Sequence, residues 1–157
     1  MSVQLTPVDL SFFDSAPVRM QRSYPLAAPP DQVWRAIATD PAGWGHWFPG
    51  FSTESHFTSA QPHGVGSTRE VVVGPLRIAE TVIAWDPERR FAFTIDSGLP
   101  GVRSLAESYA LAPGPDGGTV VTLTYASEPL PDTPRPPADG PDMFAVAFEA
   151  LDRYLAG

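Results

Sequence analysis

The sequence predicts an α+β fold: a single antiparallel sheet with helices at its two ends, one face buried under a long C-terminal helix. Three observations predict it. Six β-type runs follow one another between Phe51 and Glu128, separated by breaks too short for crossover connections. An alternating run, Val18–Tyr24, comes before them and is followed by a helical pattern. The chain then closes on an amphipathic helix, with Phe144, Phe148, Leu151 and Leu155 at i, i+4, i+7 and i+11.

In chain order, residues 1–16 read as an arm or short edge segment ending at Asp14-Ser15-Ala16-Pro17. After the first strand, Ala28-Pro29-Pro30-Asp31 opens a helix, because proline is tolerated in a first turn and aspartate suits the positive helix end. Val33, Trp34 and Ile37 form its apolar face, and Asp40-Pro41 ends it. Ala42–Phe51 is an aromatic segment, read as one helical turn and a loop. The strands are placed at Phe51–Phe57, Ser67–Val73, Leu76–Trp85, Arg90–Ser97, Arg103–Leu111 and Thr119–Ser127. Residues 129–141 hold six prolines in thirteen positions and read as an extended connector. The final helix is placed over Asp142–Leu155.

The chain has 157 residues, which sets one domain as the expectation, 1–157. Hydrophobic residues make up 43% and charged residues 18%, enough apolar material for a core and too little charge for a disordered tail. No apolar run reaches the roughly 18 residues of a membrane helix, and Met1–Phe13 lacks a leader's basic flank and apolar stretch. A cytoplasmic location is therefore expected. The absence of cysteine excludes disulfides, thiolate catalysis and Cys-ligated metals. All ten basic residues are arginine, so lysine Schiff-base chemistry is excluded too. A net charge of −8 argues against nucleic acid as a partner. Missing lysine together with 19 prolines fits a G+C-rich bacterial genome.

The Gly74-Pro75 break sets a register. As a two-residue hairpin loop it pairs Val73 with Leu76, Val71 with Ile78, Arg69 with Glu80 and Ser67 with Val82. Arg69, Val71, Val73, Leu76, Ile78, Glu80 and Val82 then share the inner face. Glu70, Val72, Arg77, Ala79, Thr81, Ile83 and Trp85 share the outer one. Continuing the parity brings Phe91, Phe93, Ile95, Leu105, Glu107, Tyr109, Leu111, Val121, Leu123 and Tyr125 inward. A charge on an apolar concave face is costly unless paired. Two readings of Arg69 and Glu80 follow. They are a catalytic pair in a ligand cavity, with Glu80 as acid or base, or a structural pair that fixes register.

Other polar patterns carry less. His46, His56 and His63 lack metal-ligand spacing, so no metal is expected. No Gly-x-Ser-x-Gly elbow occurs, and Gly64-Val65-Gly66 lacks the third glycine and following helix of a dinucleotide loop. The Trp44–Phe48 cluster is core under the short helix, or else a portal.

Asp40, Trp44, Trp47 and Pro49 resemble the D-x-x-x-W-x-x-W-x-P stretch of the START-like, helix-grip superfamily (SRPBCC), in particular its polyketide cyclase/dehydrase-like branch. Gly64-x-Gly66-x-x-Arg69, Glu80, Asp86-Pro87-Glu88-Arg89-Arg90-Phe91 and Gly118-Thr119-Val120-Val121-Thr122 follow in that branch's order, over roughly Val18–Leu155. The resemblance implies a helix-grip fold: a curved seven-stranded sheet around the C-terminal helix, two short helices after the first strand, and a hydrophobic cavity. It implies a polyketide- or lipid-like apolar ligand. No cofactor is expected, and the chain is expected as a monomer or homodimer.

The expected function is binding of such a ligand, with cyclisation or dehydration by acid–base chemistry. Glu80 and Arg69 are the catalytic candidates, with Glu107 as the alternative proton shuttle and Tyr109 as the alternative group to stabilise an enolate oxygen. Trp47, Val71, Ile78, Phe93, Glu107, Tyr109, Leu123, Tyr125, Phe144, Phe148 and Leu151 are the ligand-binding ones. One alternative is a non-catalytic carrier or sensor. Another is a co-chaperone-like interaction module, which requires an exposed outer patch at Val72, Ile83 and Trp85.

Overall fold

The Gly74-Pro75 turn forms as the register requires. Gly74 has a φ of 57°, the positive value a primed two-residue turn needs at its first central position. Val73↔Leu76, Val71↔Ile78 and Arg69↔Glu80 face one another across it. Around this hairpin the computed structural model describes residues 3–134 and 142–157. The strands are β1 (Val18–Leu26), β2 (His56–Phe57), β3 (Thr68–Val73), β4 (Leu76–Asp86), β5 (Arg90–Ser97), β6 (Val102–Pro113) and β7 (Thr119–Pro129). They make one antiparallel sheet in the order β1-β7-β6-β5-β4-β3-β2. The hairpins are consecutive, and β1 closes onto β7.

Three helices flank it: α1 (Phe12–Ser15), α2 (Pro30–Trp34) and α3 (Met143–Leu155). α2 begins on its proline but loosens into a π-helical turn at Arg35–Thr39. A 3₁₀ turn follows at Ala42–His46. Asp142 caps α3, accepting from the Phe144 and Ala145 amides at 3.0 and 3.1 Å. The Phe148 and Leu151 side chains of α3 are buried against the inner sheet face, with Phe144 and Leu155 partly buried beside them.

Four expectations need correction. The strand expected at Phe51–Phe57 shrinks to His56–Phe57, and Phe51 makes only an isolated bridge to Val73. Trp85 faces inward, because a bulge between Val82 and Ala84 adds a residue and reverses the parity beyond it. The first 16 residues are more than an edge segment. Phe13 and Ala16 pack on Ala84, Ala92, Ala106 and Ala126, making a second small core on the outer face. This covers part of the outer surface that an interaction module would need: Val72 is buried, Ile83 lies against the arm, and Trp85 is inside. The expected connector 129–141 is described only as far as Pro134, and the rest lies outside the described residues.

Candidate functional site

The inner face carries a line of polar groups between aromatic rings. On β3 and β4, Arg69 and Glu80 are opposite and almost fully shielded, at 2% and 3% exposure. Arg69 donates from Nε (3.0 Å) and Nη2 (2.6 Å) to the same oxygen, Glu80 Oε1. Its Nη1 finds no hydrogen-bond acceptor among the described residues. The guanidinium instead lies over rings, 4.9 Å from the centroid of Phe91, 5.3 Å from Phe93 and 5.8 Å from Trp44. Burial raises the Glu80 carboxyl above its ordinary range, against the opposing pull of Arg69.

Phe93 separates this pair from a second one. Its partner on β6 is Glu107, whose Oε1 accepts from the Tyr109 hydroxyl at 2.5 Å. Glu107 shares the inner face with Tyr109 and is partly buried. Burial pushes its carboxyl up from the ordinary 4.5 to about 7; the Tyr109 hydrogen bond opposes this and the charge of Glu80 adds to it. Burial, followed by the neighbouring Glu107, raises the Tyr109 hydroxyl well above its ordinary value.

The raised carboxyl has a measurable consequence. Below about pH 4.5 both folded and unfolded chains hold this proton. Between 4.5 and about 7 only the folded chain does, so raising the pH draws the equilibrium toward unfolding. Stability should therefore fall through this window by on the order of 2 kcal/mol, allowing for the partial exposure of Glu107. In E107Q the amide oxygen still accepts from Tyr109 but nothing titrates. Urea titrations at pH 5 and pH 8 should show a smaller loss for E107Q than for the native chain; identical losses would contradict the assignment.

A pocket of about 500 Å³ opens beside these groups, at the end of the sheet where β1 starts, β7 ends and β6 starts. Val18 and Met20 of β1 face Ser127 and Tyr125 of β7 across their ladder, and Gly101 and Val102 carry the wall onto β6. Phe144 of α3, with Pro129, Thr133 and Pro134, completes it. The wall is mostly apolar, its polar side chains being the Tyr125, Ser127 and Thr133 hydroxyls. Tyr125 is the direct β7 partner of Glu107, so the pocket wall and the raised carboxyl are neighbours on one sheet face. Residues 130–133 are tied at the pocket's edge by Gly101, whose carbonyl accepts from the Leu130 amide (3.0 Å) and the Thr133 hydroxyl (3.1 Å).

The structure brings Tyr125 and Phe144, of the residues singled out above, to this pocket, with Glu107 next to them. Trp47, Val71, Ile78, Phe93, Tyr109, Leu123, Phe148 and Leu151 are all buried in the core between sheet and α3. Arg69 and Glu80 are sealed among them and do not line the pocket. Val18 and Met20 line the pocket as well, and their place in the alternation of β1 signals an inward face. Gly101, Thr133 and Pro134 carry no such signal, because tertiary contacts between loops bring them together.

Residues 17–155 match the family model described as polyketide cyclase / dehydrase and lipid transport. An uncharacterised protein of Mycobacterium tuberculosis is 34% identical over 123 residues, covering 77% of this chain and 72% of that protein. Among solved structures, the major latex-like protein 151 of Panax ginseng superimposes with a TM-score of 0.73 at 14% identity, over 89% of this chain and 98% of that one. A protein of Thermobifida fusca, solved by NMR, gives 0.68 at 23% identity, over 88% and 93%. These likenesses establish the fold, a curved sheet gripping the C-terminal helix. No helix among the described residues is long and apolar enough to cross a membrane.

Proposed function

Because the chain belongs to the polyketide cyclase / dehydrase and lipid transport family, we propose that it binds an apolar small molecule in the pocket between β1, β7, β6 and the first turn of α3. One observation carries this reading: an apolar hollow of ligand size with a tyrosine in its wall, paired directly with an inward carboxyl. The proposal extends to chemistry. With its proton affinity near neutrality, Glu107 is suited to take a proton from carbon and return it to oxygen at ordinary pH. For a polyketone-like ligand that sequence is ring closure: the carboxylate removes a proton from carbon, the carbanion attacks a carbonyl, and the new alkoxide is protonated. Loss of that hydroxyl with a neighbouring proton releases water. Tyr125 orients the ligand oxygen. In this reading Glu107, of the two candidate proton shuttles, carries the acid–base role, while Arg69 and Glu80 set the field behind it.

A second reading, carriage without chemistry, is favoured by the seclusion of the Arg69–Glu80 pair from the pocket. The two readings share the pocket and part at Glu107. Titration with the neutral fluorophore N-phenyl-1-naphthylamine tests the shared part. V102W, which places an indole in the hollow, should weaken binding about tenfold or more; equal affinity would show that the probe binds elsewhere. E107Q then separates the readings, since it leaves a carrier's affinity intact but stops turnover of a cyclisable polyketone.

A further inference from the structure

The N-terminal arm lies outside the segment matched by the family model, which begins at residue 17, yet it is built into the sheet. β5 and β6 pair from Arg90↔Ala110 to Thr94↔Ala106 and no further. Beyond that point β5 runs on to Ser97 and β6 reaches back to Val102, so two strand edges diverge and need partners. The arm supplies them. The Leu5 amide donates to the Asp96 carbonyl of β5 (2.9 Å), and the Thr6 amide donates to the Arg103 carbonyl of β6 (2.8 Å). Gln4 bridges Ser97, and the Gly98 amide donates to the Val3 carbonyl (2.8 Å). Residues 3–6 are thus an extended segment wedged between β5 and β6.

The arm also passes through the sheet. Leu5, 7% exposed, belongs to the inner core, whereas Val8, Phe12 and Phe13 belong to the outer cluster. Pro7 stands between the two parts. It has no N–H to continue the pairing, so the wedge ends there. On β6 the wedge sits between Val102, in the pocket wall, and Glu107, the carboxyl that the pocket stops short of.

We propose that the diverging ends of β5 and β6 form a strand-acceptor slot, that residues 3–6 are its detachable occupant, and that their departure opens the pocket sideways toward Glu107. This rests on the pocket reading above. The wedge is held by three main-chain bonds, by the Ser104 hydroxyl donating to the Thr6 carbonyl at 2.8 Å, and by one apolar side chain, Leu5, a holding mode close to that of an added strand. Phe13 and Ala16 keep the rest of the arm on the outer face, so the wedge leaves and returns without the arm being lost. Being a short terminal segment, the wedge can open locally at less cost than the whole fold.

The chain has no cysteine, so Q4C/S97C places a single bridgeable pair across the slot. Uptake of N-phenyl-1-naphthylamine is followed by stopped-flow fluorescence before and after reduction of that disulfide. The oxidised protein should take up the probe about tenfold more slowly than the reduced one, because only the opened population is competent. Equal rates would overturn the gate. A chain lacking residues 1–6 supplies the converse: its uptake should be about tenfold faster than that of the full chain, with faster hydrogen exchange at residues 95–97 and 103–105. Unchanged uptake there overturns the gate even if the disulfide does not form. Failure of the full-length chain to bind the probe at all would overturn the pocket reading instead, and the gate with it.

Discussion

Replacing Arg69 by alanine should destabilise the protein by about 3–5 kcal/mol, among the largest effects of any single substitution here. The change leaves the Glu80 carboxyl at 3% exposure with its two charge-assisted hydrogen bonds gone. The rings over which the lost guanidinium lay, Phe91, Phe93 and Trp44, cannot take the cation's place. The loss should be smaller at pH 5 than at pH 8, since the stranded carboxyl escapes part of the cost by taking up a proton, the direction in which burial already pushes it. Removing both partners tests the interpretation. R69M/E80M exchanges the pair for apolar side chains of similar length and should recover to within about 1 kcal/mol of the native chain, because two desolvated charges offset most of their own attraction. If R69A unfolds in urea like the native chain, the pair is not the buried keystone of the β3–β4 register that the geometry describes.

F148A should cost a similar amount, about 3–5 kcal/mol. Phe148 is 2% exposed and is the side chain by which α3 is seated on the sheet. It stacks on Tyr24 of β1 with centroids 4.5 Å apart, and meets Trp47 and Tyr109 at 6.2 Å each. Alanine leaves a hole bounded by rings from three different elements, which cannot close on it together without moving the helix. For a domain of this size the midpoint of thermal unfolding should drop by roughly 10 °C or more. F148L, which keeps most of the volume, should lose far less. Equal losses in the two variants would mean that aromatic stacking rather than volume holds α3.

The contrast between Arg69 and Trp85 shows what was legible in the chain and what was not. A strand alternates with a period of two, so one anchored turn determines a whole hairpin; Gly74-Pro75 is such an anchor, and the Arg69↔Glu80 pairing follows from it. Trp85, five residues past Glu80, lies beyond a bulge that no residue type announces, and its side reverses. Small residues carry a further signal. Ala84 faces Ala92, and Ala106 faces Ala126, which makes a smooth outer patch that only a large side chain from elsewhere fills; Phe13 fills it. The candidate site was legible only in part for the same kind of reason. Alternation brings Glu107, Tyr109, Leu123 and Tyr125 to the inner face, but whether an inward side chain meets a hollow or a neighbour depends on how far α3 and residues 130–134 stand off the sheet. Tyr125 and Phe144 meet the hollow, whereas Leu123 and Phe148, inward by the same rule, meet packed core. Binding surfaces and cores are both apolar, and the strand period does not distinguish them.

Amide chemical-shift mapping with N-phenyl-1-naphthylamine tests the placement of the ligand site most directly. Addition of the probe should move the resonances of Val18, Met20, Val102, Tyr125, Ser127 and Phe144, with Glu107 shifting as the next residue inward. Shifts confined to the outer-face alanines and Phe13, or no shifts at a concentration where fluorescence reports binding, would contradict a ligand site at this end of the sheet.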